Sequence, residues 1–138
     1  MIKYFLSIGL LLMISSSSMA QKVPYKVVFD VTSKDTVVHQ MIMRWVKGIT
    51  AADPDAKLAV VFYAKSLDMV TKGKSVVADE VIKYAANKNV AFKVCEVALK
   101  SNNIDKSQLL PGVETIPDGI YEIISLQHGG WGYIKASL

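Results

Sequence analysis

Short apolar runs alternate along the chain with stretches whose apolar residues recur at helical spacing. Lys26-Val27-Val28-Phe29-Asp30-Val31 is the first run, and its continuous apolar centre suits a strand covered on both faces. A helix is predicted from Thr36 to about Ala51, capped by Ser33 or Asp35 and striped by Val38, Met41, Ile42, Trp45 and Ile49. Asp53-Pro54-Asp55 ends it, and Leu58 to Tyr63 is the second strand. Ala64 to Lys74 reads as a loop with a helical turn. Ser75 then caps a helix to about Asn87, with Ala78, Val81, Ile82 and Ala85 on one face. Val90 to Val94 is the third strand, and Cys95 leads into a short helix, Glu96 to Lys100. Asp105 and Gln108 have capping-box spacing, and Pro111-Gly112 stops the brief helix they open. Val113 to Ile116 is a short strand. Pro117-Asp118-Gly119 starts a last helix with Ile120, Ile123, Ile124 and Gln127 on one side, and Trp131 to Ala136 is the closing strand. This alternation predicts an α/β fold, a three-layer α/β/α arrangement around a mostly parallel five-stranded sheet.

The first residues follow another pattern. Lys3 is a short positive region, Tyr4 to Ile14 is apolar, and Ser18-Met19-Ala20 offers small residues for cleavage. The apolar run is short of the roughly 20 residues of a bilayer span. The expectation is a signal peptide over residues 1–20 and an exported domain, periplasmic or secreted, over residues 21–138. After cleavage it would have no stable membrane span.

Composition narrows the function. The net charge of +4 is mild, the lysines are scattered, and Arg44 is the one arginine. Nucleic-acid binders cluster basic residues on one face with stacking aromatics, and neither feature is present, so no nucleic acid is expected as partner. Gly73-Lys74-Ser75 ends like a phosphate-binding loop, but position 68, where a second glycine is needed, is Asp68. Gly129-Gly130-Trp131-Gly132 precedes a strand rather than opening a helix, so it is a turn and not a dinucleotide fingerprint. One cysteine and two distant histidines, His39 and His128, make no zinc set. No cofactor and no metal is expected.

Cys95 carries the candidate chemistry. Ligands bind outside the carboxyl ends of the strands in an open parallel sheet, and Cys95 sits at such an end. A helix start favours the thiolate, while Glu96 opposes it with a negative charge next door. Asp30, Tyr63 and Lys65 reach the same edge from the first two strands, and His39 begins the first helix near it. A free cysteine is also commonly a small buried hydrophobe, and position alone leaves both readings open.

The stretch "VAFKVCEVALKSNNIDKSQLLPGVETIPDGIYEIISLQHGGWGYIKA" resembles the DsrE/DsrF-like family, whose fold is also described as YchN-like. The resemblance rests on the spacing from Cys95 to "LLPGVE", the Pro117-x-Gly119 helix start, the closing "LQHGGWGYIK", and "DMVTKGKS" before the second helix. It implies a small α/β domain assembling into homo-oligomers, often trimers or hexamers, some of whose members relay sulfur as a cysteine persulfide. Cys95 matches the family cysteine. Its surroundings depart from the common pattern: Glu96-Val97-Ala98 follow where a small residue, Asn and Thr or Ser are frequent, and Tyr63-Ala64 stands where His-Gly is frequent.

The resulting expectation is an exported sulfur carrier of sulfurtransferase type, using a persulfide on Cys95 and a thiol-containing donor or acceptor protein as partner. Asp30, Tyr63, Lys65 and Glu96 would shape the pocket, with His39 as candidate base. Its rivals are an oligomeric binding module without sulfur chemistry and a thiol redox sensor. Leu67 to Val70, and the stretch around Trp131 and Tyr133, are the expected subunit contacts.

Overall fold

The computed structural model describes residues 22–138. The expected signal segment and its cleavage point after Ala20 lie outside the described residues. Five strands, β1 (Lys26–Val31), β2 (Lys57–Phe62), β3 (Val90–Cys95), β4 (Glu114–Ile116) and β5 (Gly132–Ala136), form one sheet in the order β4-β3-β2-β1-β5. All four pairings are parallel. Between them lie α1 (Thr36–Ala52), α2 (Ala78–Ala85), the six-residue α3 (Glu96–Ser101) and α4 (Gly119–His128), with short 3-10 turns at Ser66–Val70 and Lys106–Gln108. Among the described residues no helix is long and apolar enough to cross a membrane.

Strand order dictates which face each helix covers. From β1 through β4 the chain steps steadily toward one edge, then returns past β1 to lay down β5. With right-handed crossovers, reversing the direction of travel transfers the connecting helix to the other face. Accordingly α1, α2 and α3 share a large core with Val27, Phe29, Val31, Leu58, Val60, Phe62, Phe92 and Val94. Helix α4 alone covers the opposite face, where the fully buried apolar set is small: Val28, Ala59, Val61 and Ile123. The Phe62–Phe92 and Phe29–Trp45 ring pairs, with centroids 6.3 and 5.5 Å apart, fill the larger side.

Local chemistry sets the element ends. The Asp35 side chain accepts from the backbone N–H of Val37 at 2.8 Å and caps α1. Asp118 does the same for α4, accepting from Ile120 and Tyr121. Both arms of the capping box join Asp105 and Gln108. Ser75 behaves otherwise than expected. Its hydroxyl accepts from Val77 two residues on, a turn that competes with helix, and α2 starts only at Ala78. The buried face of α1 is also wider than the expected stripe, taking in His39, Met43 and Val46.

Two expectations about apolar surfaces are corrected. Leu67, Met69 and Val70 are buried within their own subunit, because the 3-10 turn folds them under the loop that Leu110 and Lys72 tie down, so this segment offers no contact patch. The stripe assigned to α4 is buried only at Ile123. Ile120 and Ile124 are 57% and 56% exposed, since a lone helix over a five-stranded sheet buries only the residues pointing straight down.

Candidate functional site

Parallel register places the candidate residues in rows on the α4 face. Asp30 is level with Lys135 on β5 and Val61 on β2, and Val61 with Lys93 on β3. One step further toward the carboxyl ends, Cys95 is level with Ile116, and Tyr63 follows Phe62, the partner of Val94. Side chains two apart along a strand share a face. Asp30, Tyr63 and Cys95 therefore point to the same side.

The connection after β3 runs over the α1 face, and the one after β4 runs over the α4 face. Their divergence opens a crevice at the carboxyl edge, the place where open α/β sheets bind ligands. It encloses about 420 Å³ and is lined by Tyr63, Ala64 and Lys65 after β2, by Cys95, Val97, Ala98, Ser101 and Asn102 around α3, and by Asp118 and Ile120 at the start of α4. A second hollow of about 250 Å³, between Tyr25, Lys26 and Asp53, lies at the other end of β1 and has no thiol in its lining.

Cys95 forms part of the cleft wall, is 6% exposed, and occupies the N-cap position of α3 without a side-chain capping bond. Gly119 makes room for it. A Cβ at Gly119 would lie 3.2 Å from the Cβ of Cys95, 3.4 Å from Val61 and 3.5 Å from the Tyr63 ring. The Pro117-Asp118-Gly119 turn thus lets α4 close over the thiol. Asn102 braces the opposite wall, donating to the carbonyls of Ala64 at 3.1 Å and Ala98 at 2.7 Å. It holds Ala64 at φ +56, the left-handed region that favours glycine.

Asp30 lies beside the cleft rather than in it. It is 4% exposed and accepts from the Tyr133 hydroxyl and from Lys135 Nζ, which also donates to Thr32 Oγ1 at 2.8 Å. Tyr63 connects this cluster to the cleft. Burial, and then the nearby Asp30 carboxylate, hold its phenol protonated well above the usual range. The Asp30 hydrogen bond, then burial, push Tyr133 up to about 12. Lys135 Nζ stands 5.7 Å from the centre of the Tyr63 ring.

Two candidates are placed elsewhere. His39 is 1% exposed in the α1 core, its Nε2 bonded to the Ser33 carbonyl at 2.9 Å, and it does not line the cleft. Its ring nitrogen fixes the β1–α1 loop. Glu96 turns away from Cys95 to Lys106 at 2.6 Å, and that ion pair holds its carboxyl below the usual range. Val97, Ala98, Ser101, Asn102, Asp118 and Ile120 were missed as lining residues. What places them is the reversal of chain direction after β4, which puts the starts of α3 and α4 on either side of one crevice and belongs to the strand order rather than to any local sequence pattern. No group of His, Cys, Asp and Glu among the described residues could hold a metal ion.

No curated protein matches the sequence. The chain is similar to a solved structure of a protein of unknown function, MTH1491 from Methanobacterium thermoautotrophicum, at 25% identity and a TM-score of 0.75, covering 80% of this chain and 98% of that one. It shares its fold with the YchN protein from E. coli, at 13% identity and a TM-score of 0.66, covering 80% and 97% of the two chains. The model of the DsrE/DsrF-like family matches residues 26–136, and the chain belongs to that family.

Proposed function

We propose that this protein is a sulfur carrier that holds sulfane sulfur as a persulfide on Cys95. The observation that carries the reading is the thiol itself: nine-tenths buried, without a capping bond, and facing a cleft at the carboxyl edge of the sheet in a member of the DsrE/DsrF-like family. In loading, the Cys95 thiolate attacks the terminal sulfur of a donor persulfide. A new bond forms from Sγ to that sulfur, the donor's S–S bond breaks, and the donor leaves as a thiolate that takes up the proton Cys95 released. In unloading, an acceptor thiolate attacks the outer sulfur and Cys95 leaves. Neither step needs an external oxidant. Burial disfavours the redox-sensor reading, because an intermolecular disulfide needs two Cα atoms within about 7 Å and Cys95 is only 6% exposed.

Mass spectrometry of the purified protein after polysulfide treatment tests the reading. A gain of sulfur on Cys95 supports it. An unmodified Cys95 favours the binding module that keeps the fold without the chemistry.

The same proposal includes export, with cleavage after Ala20, and assembly as a homo-oligomer, trimeric or hexameric. A mature N-terminus at Gln21 supports export, and retention of Lys3 refutes it. For assembly the supporting feature is the outer side of α4, where Ile120, Tyr121 and Ile124 are all more than half exposed, together with exposed Tyr133 on β5.

A further inference from the structure

The walls of the Cys95 cleft carry information about the donor. Tyr63, Ala64, Val97, Ala98 and Ile120 give it a largely apolar lining. Its volume of about 420 Å³ falls in the range of roughly 300–1,000 Å³ that holds small organic ligands. Two charged side chains face it, Lys65 and Asp118. The Asp118 carboxylate is engaged by the Ile120 and Tyr121 N–H groups at 2.9 and 3.2 Å. Lys65 is exposed and forms no ion pair among the described residues. An apolar hollow whose carboxylate is taken up by backbone donors, with a cation free to pair and a buried thiol, is matched by a ligand with an apolar body, an acidic group and a reactive sulfur.

We infer that the donor read by this cleft is a small organic persulfide with an aliphatic or aromatic body and a carboxylate or similar anion, the body lying along Val97, Ala98 and Ile120 and the anion at Lys65. The inference rests on the carrier reading of Cys95. Its chemistry is the loading step above, with the donor's organic thiolate leaving: Cys95–S⁻ and R–S–SH become Cys95–S–SH and R–S⁻. The structural content is that R is recognised, which bare polysulfide lacks.

The test loads the purified protein with four donors and reads the rate of sulfur gain on Cys95 by mass spectrometry. They are the persulfides of mercaptohexanoate, mercaptopropionate and aminoethanethiol, and inorganic polysulfide. Burying extra methylenes should make mercaptohexanoate persulfide more than roughly ten-fold faster than mercaptopropionate persulfide. The short acid should outpace the amine about three- to five-fold, as for an exposed ion pair, and Lys65→Gln should erase that preference. If polysulfide loads Cys95 but the organic donors show no order with length or charge, donor recognition is refuted and the carrier reading stands. If none of the four loads the native thiol while all load the unfolded chain, both fail.

Discussion

Replacing Cys95 with serine separates chemistry from packing. The thiol is 6% exposed and lies at the N-cap of α3, with extended backbone angles of φ −67 and ψ 122. A serine hydroxyl left unpaired there costs about 1–3 kcal/mol. At an N-cap, however, the hydroxyl oxygen accepts from an N–H of the first helical turn, which contributes about 0.5–2 kcal/mol relative to alanine. The two terms nearly cancel, so Cys95→Ser should stay within about 1 kcal/mol of the parent, a melting shift of roughly 3–6 °C at most for a domain of this size. Cys95→Val is the control. It cannot cap, and its branched Cβ faces the position where even a Cβ on Gly119 would come within 3.2 Å, so it should lose about 1–3 kcal/mol through overpacking. Sulfur uptake should vanish in both variants, because neither side chain can form a persulfide. Thermal melting, with native alkylation of the parent at neutral pH, is the assay. An inert native thiol combined with a loss above about 3 kcal/mol in Cys95→Ser would make Cys95 a core residue and sink the carrier reading.

Three further outcomes follow from individual side chains. Ala64→Gly should raise the melting temperature by a few degrees: relief of the left-handed strain at φ +56 is about 1–2 kcal/mol, and the added freedom of the unfolded chain takes back about 0.4–1. Tyr133, raised to about 12 from an ordinary 10.0, contributes stability that is complete below pH 10.0 and lost as pH climbs through 12. Melting curves across that range should therefore flatten in Tyr133→Phe, and an unchanged pH dependence would refute the Asp30 pairing. Ile124→Glu, on the exposed side of α4, should reduce the particle mass seen by light scattering while leaving the circular-dichroism spectrum unchanged. A parent protein that is monomeric at micromolar concentration would overturn the assembly proposal.

Much of the scaffold was legible because each element announces itself locally. The boundaries of β1 coincide with its apolar run, the capping box of Asp105 and Gln108 is read from residue type and spacing alone, and the cap of α1 narrows to Ser33 or Asp35 on the same grounds. Where two local options compete, as at Ser75, the sequence pattern has no means of weighing a side-chain turn against a helix cap. The site was legible only in part. Cys95, Tyr63 and Lys65 could be placed at one edge because strand ends converge in a parallel sheet. His39 and Glu96 could not be excluded from it, because their directions depend on partners distant in sequence or beyond the next turn: the Ser33 carbonyl and Lys106.

The misread face of α4 has the same origin and bears on function. A periodic stripe of isoleucines says that a helix has an apolar side, not what covers it. On the α1 face several helices share the work of covering the strands, and the apolar sides of α1 and the β3 neighbours are buried accordingly. On the other face α4 works alone, and the row beneath it carries charge: Lys93 is satisfied by Glu122 on α4, and Asp30 by Tyr133 and Lys135. The Lys93–Glu122 pair ties the helix to β3, the Asp30 bonds tie β1 to β5 beneath it, and Ile120 and Ile124 are left facing outward. Ile120 also lines the Cys95 cleft. A second subunit packed against α4 would therefore narrow the entrance to the thiol as it formed, so Ile124→Glu should quicken alkylation of Cys95 if assembly guards the cleft, and should leave the rate unchanged if the two surfaces are independent.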